Sequence, residues 1–501
     1  MSDPMSDSDP IDEPSAESAQ GAKSVKARPT MNWATTTFVV LFIMHLLDYI
    51  DRWTISGVLS KLQPDLGLSD TQAGSLNIYF LVMYSLVSPI MGFAGDRFRR
   101  TWLLAAGVGI WSLATVGTGL VRDFDELRIA RTILGIGEAT YGVIAPTILM
   151  DLFSRHTRAR VMAGFYLAMP IGYALGVISG GLIAEHSQEW FAGTFLEPYS
   201  GWRMAFFVVG APGLLAAFSV LFIPEPVRGA SEDVDIDRAK AQERVRPKLG
   251  DYQDLAVTSS YAYVVLGMAS YTFAFGGLAF WLPTFLERVK GFPHDQAVLI
   301  VGLTGLFAAV IGMTGGGWLA DRLSKTYPRA LFLVPGVSMI SAVPFVLLGL
   351  FAQSTPMIIL FLFLAETLML ANTGPCNAII ANVVVPNLRA TAYAVAIFTL
   401  HFLGDVWSPW LMGLVSDYFG QADTMATGLG QFLTSWGVVP VEEGGNLAAG
   451  MLVVVPAIFL GGLVMLAGSR HLPREMALMV AKFRSGPLPE SKLESSNPDL
   501  T

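Results

Sequence analysis

Twelve stretches of mostly apolar residues follow one another along the 501-residue chain. A helix needs about 20 such residues to cross the hydrocarbon core of a bilayer. Charged residues make up only 14 % of the sequence, against about 25 % in a typical soluble domain. The sequence therefore predicts an all-α integral membrane protein. The predicted spans are residues 33–58, 71–93, 102–121, 125–152, 160–184, 202–223, 260–286, 296–319, 330–351, 356–384, 391–416 and 446–470.

One long charged connector divides these spans into two sets of six. It begins "PEPVRGASEDVDIDRAKAQERVRPK", which is too charged to cross a bilayer. The polar N-terminal segment lacks the apolar centre of a signal peptide, so we expect a disordered tail there. The predicted organisation is a tail at 1–30, a six-helix bundle at 31–226, a linker at 227–258, a second six-helix bundle at 259–472 and a tail at 473–501.

Lysine and arginine predict the orientation of the chain in the membrane. If the N-terminus is cytoplasmic, the tails and loops on that side hold 24 of the 32 Lys and Arg residues. Cytoplasmic loops of membrane proteins carry such an excess. We therefore expect a multi-pass protein of the cell membrane with both termini in the cytoplasm. If the source is a bacterium, that membrane is the inner membrane.

Several other kinds of protein are disfavoured by the sequence. The net charge of −8 gives no sign of nucleic-acid binding, and the single cysteine, Cys376, rules out a disulfide framework. There is no phosphate-binding loop and no H-E-x-x-H motif. We expect no cofactor, no metal and no enzymatic activity.

A short motif recurs in the two halves. "GFAGDRFRR" runs from Gly92 to Arg100, and "GWLADRLSK" runs from Gly317 to Lys325, an offset of 225 residues. "RARVMA" from Arg158 is echoed by "RATAYA" from Arg389. Ordinary positive loop charge would explain the arginines but not the repeated Gly and Asp. The pattern therefore indicates an internal structural repeat.

Together with two further motifs, this repeat resembles the major facilitator superfamily between residues 33 and 472. "RTILGIGEA" (131–139) matches the fourth-helix pattern R-x-x-x-G-x-G-x-A, and "PIGYALGVISGG" (170–181) is similar to the Gly-rich fifth helix. The loop motif departs from the family where Arg99 replaces a usual Gly and Thr101 a usual basic residue. The resemblance implies two pseudo-symmetric bundles with a substrate site between them near the midplane.

Within the superfamily, the chain resembles the Spinster transporters most. "DYIDRWTISGVL", "IGEATYGVIAPTILMDLF" and "PEPVRG" are similar to Spinster segments. Animal relatives of this type are linked to the movement of sphingosine-1-phosphate and lysophospholipids. The resemblance therefore implies an amphiphilic substrate, either a sphingoid lipid or a lysophospholipid.

Ionisable side chains form a stripe within the first predicted span, "HLLDYIDR". At 100° per residue, His45, Asp48, Asp51 and Arg52 fall within about 120° of one another. Counting from the start of the span places His45 and Asp48 near the bilayer centre. A charge there costs at least ~2.5–3.5 kcal/mol, so it must be paired, hydrated or functional.

The fourth span carries a matching pair, Arg131 and Glu138, seven residues apart on one face. If the two spans face each other, their charges form one network. Burial opposes ionisation of the Glu138 carboxyl and a nearby Arg favours it, so the carboxyl can exchange a proton as the cavity opens. We therefore expect Asp48, Asp51, Arg52, Arg131 and Glu138 to couple protons or bind substrate. A static salt-bridge cluster that fixes helix packing is the alternative.

The second half carries fewer charges. Further candidates for the cavity are His45 from the first half and Glu366, Asn372, His401, Asp405 and Trp281 from the second. A hydrogen-bonded packing role is equally open for the polar members. An apolar wall for an acyl chain is expected from Phe273, Phe275, Phe280, Trp281, Met369 and Met412.

The resemblance also implies a cytoplasmic latch that holds the outward-facing state. Asp96 can stabilise a helix N-terminus through the helix dipole, and Arg97 and Arg100 can pair across the bundle interface. Asp321 and Arg322 repeat the motif in the second half.

The sequence thus predicts a monomeric secondary transporter, coupled to protons, that moves an amphiphile through the bilayer by alternating access. A carrier of small organic anions or drugs with the same fold stays open, since the arginines suit a carboxylate. A membrane metalloenzyme using His45, Asp48 and Asp51 is less favoured. Metal sites need three or four converging ligands, and Arg52 disfavours a cation.

Overall fold

A computed structural model gives the fold and describes residues 31–226, 255, 257–384, 388–441 and 445–484. The predicted tail at 1–30 and nearly all of the predicted linker at 227–258 lie outside the described residues, so the predicted domain boundaries there stay predictions. The described chain is almost entirely helical.

Within the described residues, twelve helices are long and apolar enough to cross a membrane, which confirms the predicted number of spans. We number them by their order in the chain. Their bounds are Trp33–Leu66, Asp70–Arg97, Arg100–Thr118, Phe124–Leu152, Arg160–Trp190, Gly201–Leu221, Ser259–Arg288, His294–Ser324, Ala330–Phe351, Thr355–Val383, Thr391–Tyr418 and Leu447–Gly468.

The first helix is longer than the sequence predicts, because it continues to Leu66 rather than ending at residue 58. The extra turns contain polar residues that find partners in other helices. Gln63 donates to Asp70 at 2.9 Å, and Asp65 accepts from the Trp202 indole at 2.8 Å. A helix that projects past the apolar core can therefore carry these side chains.

Several spans are interrupted. The fifth joins Arg155–Tyr166 to Ala168–Trp190, the tenth joins Thr355–Leu370 to Thr373–Val383, and the twelfth joins Leu447–Met451 to Val454–Gly468. The eleventh consists of Arg389–Leu400, a π-helical turn at His401–Asp405, and Ser408–Tyr418. Gly404 has non-helical φ and ψ within that turn, which is typical of kinks at functional sites. Short helices at Ala422–Met425, Gly428–Ser435 and Leu472–Arg484 lie outside the spans.

Small residues allow the helices of a bundle to approach closely. A Cβ atom on Gly135 would lie 2.3 Å from the Phe80 carbonyl oxygen, and one on Gly176 would lie 2.6 Å from that of Ile50. These glycines join the second span to the fourth and the first to the fifth. Close backbone contact replaces the hydrophobic driving force, which is absent between helices in lipid.

The two bundles meet in the half of the molecule away from the termini. There the second span packs against the eleventh, the fifth against the eighth and the first against the seventh. Ser56 donates to the Ala279 and Phe280 carbonyls at 2.8 and 2.9 Å, and Lys61 pairs with Glu287 at 3.8 Å. The interface between the bundles is therefore closed on that side.

We expect Gly135→Ala to lower the thermal unfolding midpoint of the purified protein, because the added methyl group would push the fourth span away from Phe80. Gly109→Ala is the matched control, since no other helix of the described chain comes within 4 Å of its Cβ position. A compatible helical Gly→Ala change is neutral or stabilising by about 0.4–1 kcal/mol. Equal midpoints for the two variants would contradict the close packing.

Candidate functional site

An ion pair joins the first and fourth spans in the interior of the first bundle. Arg52 Nε and Nη2 both donate to Glu138 Oε2, at 2.9 and 2.7 Å. The Glu138 side chain is fully buried and that of Arg52 is 15 % exposed. The two predicted stripes therefore face each other, and this pair lies at their centre.

Asp48 and His45 extend the cluster along the first span. Asp48 Oδ2 lies 3.9 Å from Arg52 Nη2 and 3.8 Å from His45 Nδ1. The His45 ring stacks on Phe165 with centroids 4.3 Å apart. Among the described residues, Asp48 Oδ1 and Glu138 Oε1 have no hydrogen-bond partner. The Arg52 guanidinium thus lies next to two buried carboxyl groups. In each of them one oxygen has no hydrogen-bond partner among the described residues.

Aromatic rings surround the two arginines. The guanidinium carbons of Arg52 and Arg131 each lie 5.0 Å from the centroid of the Phe80 ring. Tyr49 and Tyr84 lie 4.7 and 5.4 Å from the Arg52 guanidinium. Such cation–π contacts partly replace the stabilisation that a guanidinium loses when it leaves water. Phe80 and Tyr84 do not stand out in the sequence, because aromatic residues are ordinary in an apolar span.

Arg131 is brought near the cluster without joining its ion pair. It is 2 % exposed, and no carboxylate of the described chain lies within ion-pair distance of it. Its Nε has no hydrogen-bond partner there either. A buried guanidinium without an anion is available to pair with one that arrives.

Asp51 points to a different neighbour, the third span. Its Oδ2 accepts a hydrogen bond from Thr115 Oγ1 at 3.2 Å, and its side chain is buried. The charges of the two stripes therefore do not form one continuous network. Thr115 Oγ1 also lies 3.0 Å from the Trp111 carbonyl of its own helix. Because a lone Thr in a span usually makes that local bond, the sequence does not indicate the contact with Asp51.

Among the candidates from the second half, His401 and Asp405 form a pair. His401 Nδ1 lies 2.9 Å from Asp405 Oδ1 on the π-helical turn, and the Asp405 carbonyl accepts from Asn77 of the first bundle at 2.5 Å. Glu366 and Asn372 are buried, and the Asn372 amide donates to the Met369 carbonyl. Asp405 thus contacts the first bundle through its backbone carbonyl.

The expected apolar wall is mostly packed inside the second bundle. Trp281 is fully buried and its indole donates to the Pro409 carbonyl at 2.9 Å. The other buried members are Phe280, Met369 and Met412, and only Phe273 and Phe275 are partly exposed. In this conformation the six residues do not form one exposed surface.

The latch residues lie on the side of the termini. Arg100 pairs with Asp151 at 2.6 Å and donates to the Pro226 carbonyl at 3.1 Å. Arg97 stacks on the Phe93 ring at 3.3 Å. Asp96, Asp321 and Arg322 are exposed. The Arg100 contacts therefore lie within the first bundle rather than across the interface.

A second polar cluster, which we call the Asp70 cluster, closes the opposite side. The Asp70 carboxylate accepts from Gln63, from Arg288 at 2.8 Å and from Ser416 at 2.6 Å. The Asp417 carboxylate accepts from the backbone N–H groups of Asp70 and Thr71 at 3.1 and 2.8 Å. It thus caps the N-terminus of the second span from the other bundle, where the helix dipole favours an anion.

Sequence reasoning did not find the Asp70 cluster. The local sequence shows only a helix start, the capping box of Ser69 and Gln72. The partner Asp417 is 347 residues away along the chain, so nothing local connects the two.

Comparison with known proteins places this geometry among transporters. The model of the Major Facilitator Superfamily matches residues 41–409. Protein spinster homolog 1 of Xenopus tropicalis is 34 % identical over 401 residues, which are 77 % of this chain and 73 % of that protein. Human protein spinster homolog 1 is 33 % identical over 396 residues, 75 % of this chain and 72 % of that one.

Solved structures share the fold. A bacterial homolog of the human lysosomal transporter Spinster, in an inward-facing and unoccupied conformation, superposes with a TM-score of 0.77 at 23 % identity, covering 89 % of this chain and 99 % of that one. A D-xylose–proton symporter gives 0.61 at 18 % identity, covering 86 % and 97 %.

We expect Thr115→Val to destabilise the protein by about 1–3 kcal/mol, because it removes a hydrogen-bond partner of the buried Asp51 carboxyl. Thr118→Val is the matched control in the same helix, since among the described residues Thr118 bonds only the Ala114 carbonyl. Thermal unfolding in detergent measures both. A Thr115→Val protein as stable as the Thr118→Val protein would show that the contact with Asp51 is of no consequence.

Proposed function

Because this chain belongs to the Spinster group of the major facilitator superfamily, a family of membrane transporters, we propose that it moves an amphiphilic, lipid-like molecule coupled to protons. The predicted family and fold, twelve spans in two six-helix bundles, are confirmed. The protein is a multi-pass membrane transporter of the Spinster type. Proton coupling, substrate class and orientation form the proposal.

The shared guanidinium of Arg52 is the observation that carries the proposal of proton coupling. Glu138 and Asp48 both approach it, at 2.7 and 3.9 Å. Burial disfavours two ionised carboxyl groups that share one adjacent guanidinium, so the pair can take up a proton. Opening the site to one side of the membrane and then the other would load and release this proton.

The buried charges are concentrated in the first bundle, which supports an amphiphilic substrate. The first bundle offers Arg131 without a carboxylate partner in the described chain, which suits an anionic or zwitterionic headgroup. In the second bundle Phe273 and Phe275 are partly exposed and suit an apolar tail. The substrate would lie with its headgroup toward the first bundle.

A carrier of small organic anions is the second candidate. It is favoured by the burial of Phe280, Trp281 and Met412 within the second bundle, which reduces the surface open to an acyl chain. The same Arg131 would then bind a carboxylate.

We place both termini in the cytoplasm on the distribution of Lys and Arg, with the protein a monomer in the cell membrane. The side closed by the Asp70 cluster is then the outer side. The latch residues Asp96, Arg97, Arg100, Asp321 and Arg322 would close the cytoplasmic side in the opposite state.

A flux screen distinguishes the two candidates. Purified protein in vesicles is offered lysolipids, sphingoid lipids and small organic anions at two pH values. Transport of a lysolipid or sphingoid lipid, driven by an imposed pH gradient, supports the proposal. Transport confined to small anions supports the second candidate, and flux that ignores the gradient contradicts proton coupling.

We expect Glu138→Gln to abolish transport driven by a pH gradient while leaving the protein folded, because the amide keeps the shape of the side chain but cannot exchange the proton. Glu126→Gln is the matched control, an equal change at an exposed position on the same helix. Flux is measured with and without the gradient. Gradient-driven uptake of wild-type size in Glu138→Gln would contradict the role of this carboxyl.

We expect Asp417→Asn to shift the protein toward the state that is open on the side away from the termini. A charge at a helix N-terminus contributes about 0.3–1 kcal/mol when exposed and up to ~2 kcal/mol when partly buried, and 1.4 kcal/mol changes a two-state ratio about tenfold. Distances between spin labels on the facing ends of the second and seventh spans would lengthen. Asp423→Asn, a change of the same kind at an exposed position, is the control. If the spin-label distances of both variants match those of the wild type, the Asp417 cap does not hold the closed state.

A further inference from the structure

An uncharged helix with exposed apolar side chains lies in the loop between the eleventh and twelfth spans. It runs from Gly428 to Ser435, and no Lys, Arg, Asp or Glu occurs from residue 427 to residue 440. Leu429, Phe432 and Trp436 are 58 %, 57 % and 58 % exposed. Apolar side chains of this size need a partner that water does not supply.

The side chains of this short helix face three different surroundings. At 100° per residue, Leu429, Phe432 and Trp436 lie within about 60° of one another. Leu433 turns toward the protein, where it packs on the cluster of Phe419, Val438 and Ala449. Gln431, Thr434 and Ser435 occupy the opposite side. The pattern is that of a helix with one face in apolar surroundings, one on protein and one in water.

The position of the helix along the membrane normal is fixed by the ninth span. The Trp436 ring lies 5.9 Å from the ring of Phe351, the last residue of that span, and 6.0 Å from that of Phe432. Ends of spanning helices mark the level of the headgroups, where Trp is favoured. The exposed apolar face therefore lies at the level of the headgroups, beside the end of the ninth span.

We propose that Leu429, Phe432 and Trp436 insert into the boundary between headgroups and acyl chains of the leaflet opposite the termini, and so fix the depth of the second bundle there. The partner is a lipid surface. Because the segment is uncharged, anionic lipid is not required. This inference depends only on the spanning of the membrane and is independent of the proposed substrate and of proton coupling.

Spin-label accessibility tests the proposal on the full-length protein. Cys376, the single cysteine, is replaced by Ala, a nitroxide is attached at Phe432→Cys, and the protein is reconstituted in phosphatidylcholine vesicles. Gln431→Cys, on the polar face of the same helix, is the matched control. We expect the ratio of collisions with oxygen to collisions with a water-soluble nickel complex to be several-fold higher at position 432 than at 431.

Equal ratios at the two positions, both with high access to nickel, would show a water-exposed helix and overturn the proposal. Low access to both reagents with spin–spin broadening would show contact with a second copy of the chain and would also overturn it. Leu429→Cys reports on the same face if Phe432→Cys does not fold, and the same high ratio is expected there. Adding phosphatidylglycerol should leave the collision ratio unchanged. A ratio that changes with phosphatidylglycerol would overturn the proposal that the helix inserts into lipid without a preference for anionic headgroups.

Discussion

The need to compensate charge inside a bilayer governs the centre of this molecule. The Arg52–Glu138 pair brings one cation and one anion together where each alone would cost several kcal/mol. It holds the first span against the fourth, and the rings of Phe80 and Tyr84 from the second span complete the surroundings of the cation. Asp48 and Arg131 lie next to this pair, but neither side chain makes a close hydrogen-bonded ion pair with it. The centre of the first bundle is therefore held by one ion pair, with a further buried carboxyl group and a further buried guanidinium next to it.

A second set of charges acts between the bundles rather than within one. Asp70, Arg288 and Asp417 lie at the ends of helices, and the N-terminal end of the second span stabilises the Asp417 carboxylate that caps it. These contacts join the two bundles on the side away from the termini. Close glycine contacts, such as Gly74 with the Pro409 carbonyl and Gly413 with that of Asp70, give the closed interface its fit. The central charges thus stabilise one bundle, and the charges at the helix ends join the two bundles.

Much of the fold is readable from the sequence, because a helix that crosses lipid must satisfy its own backbone and expose apolar side chains. The spans, the six-plus-six repeat and the partners His45, Asp48, Arg52 and Glu138 follow from that constraint and from helical periodicity. The end of the first span at Leu66 does not, since its polar turns are stabilised by Asp70 and Trp202 from other helices. The exposed apolar wall expected in the second half illustrates the same limit, because periodicity alone does not distinguish a cavity face from a packed one.

The sequence by itself determined that this chain spans a membrane, that it repeats, and that ionisable groups of its first and fourth spans share a level. Only the tertiary structure decided which of those groups meet: Asp51 turns to Thr115 in the third span, and Arg131 stacks on Phe80. It alone revealed that Asp417 caps a helix whose start lies 347 residues earlier. The physical reason is that lipid exposure and helical period act locally along the chain. Pairing of charges depends instead on the rotation and tilt of whole helices, which the packing of small residues settles between distant segments.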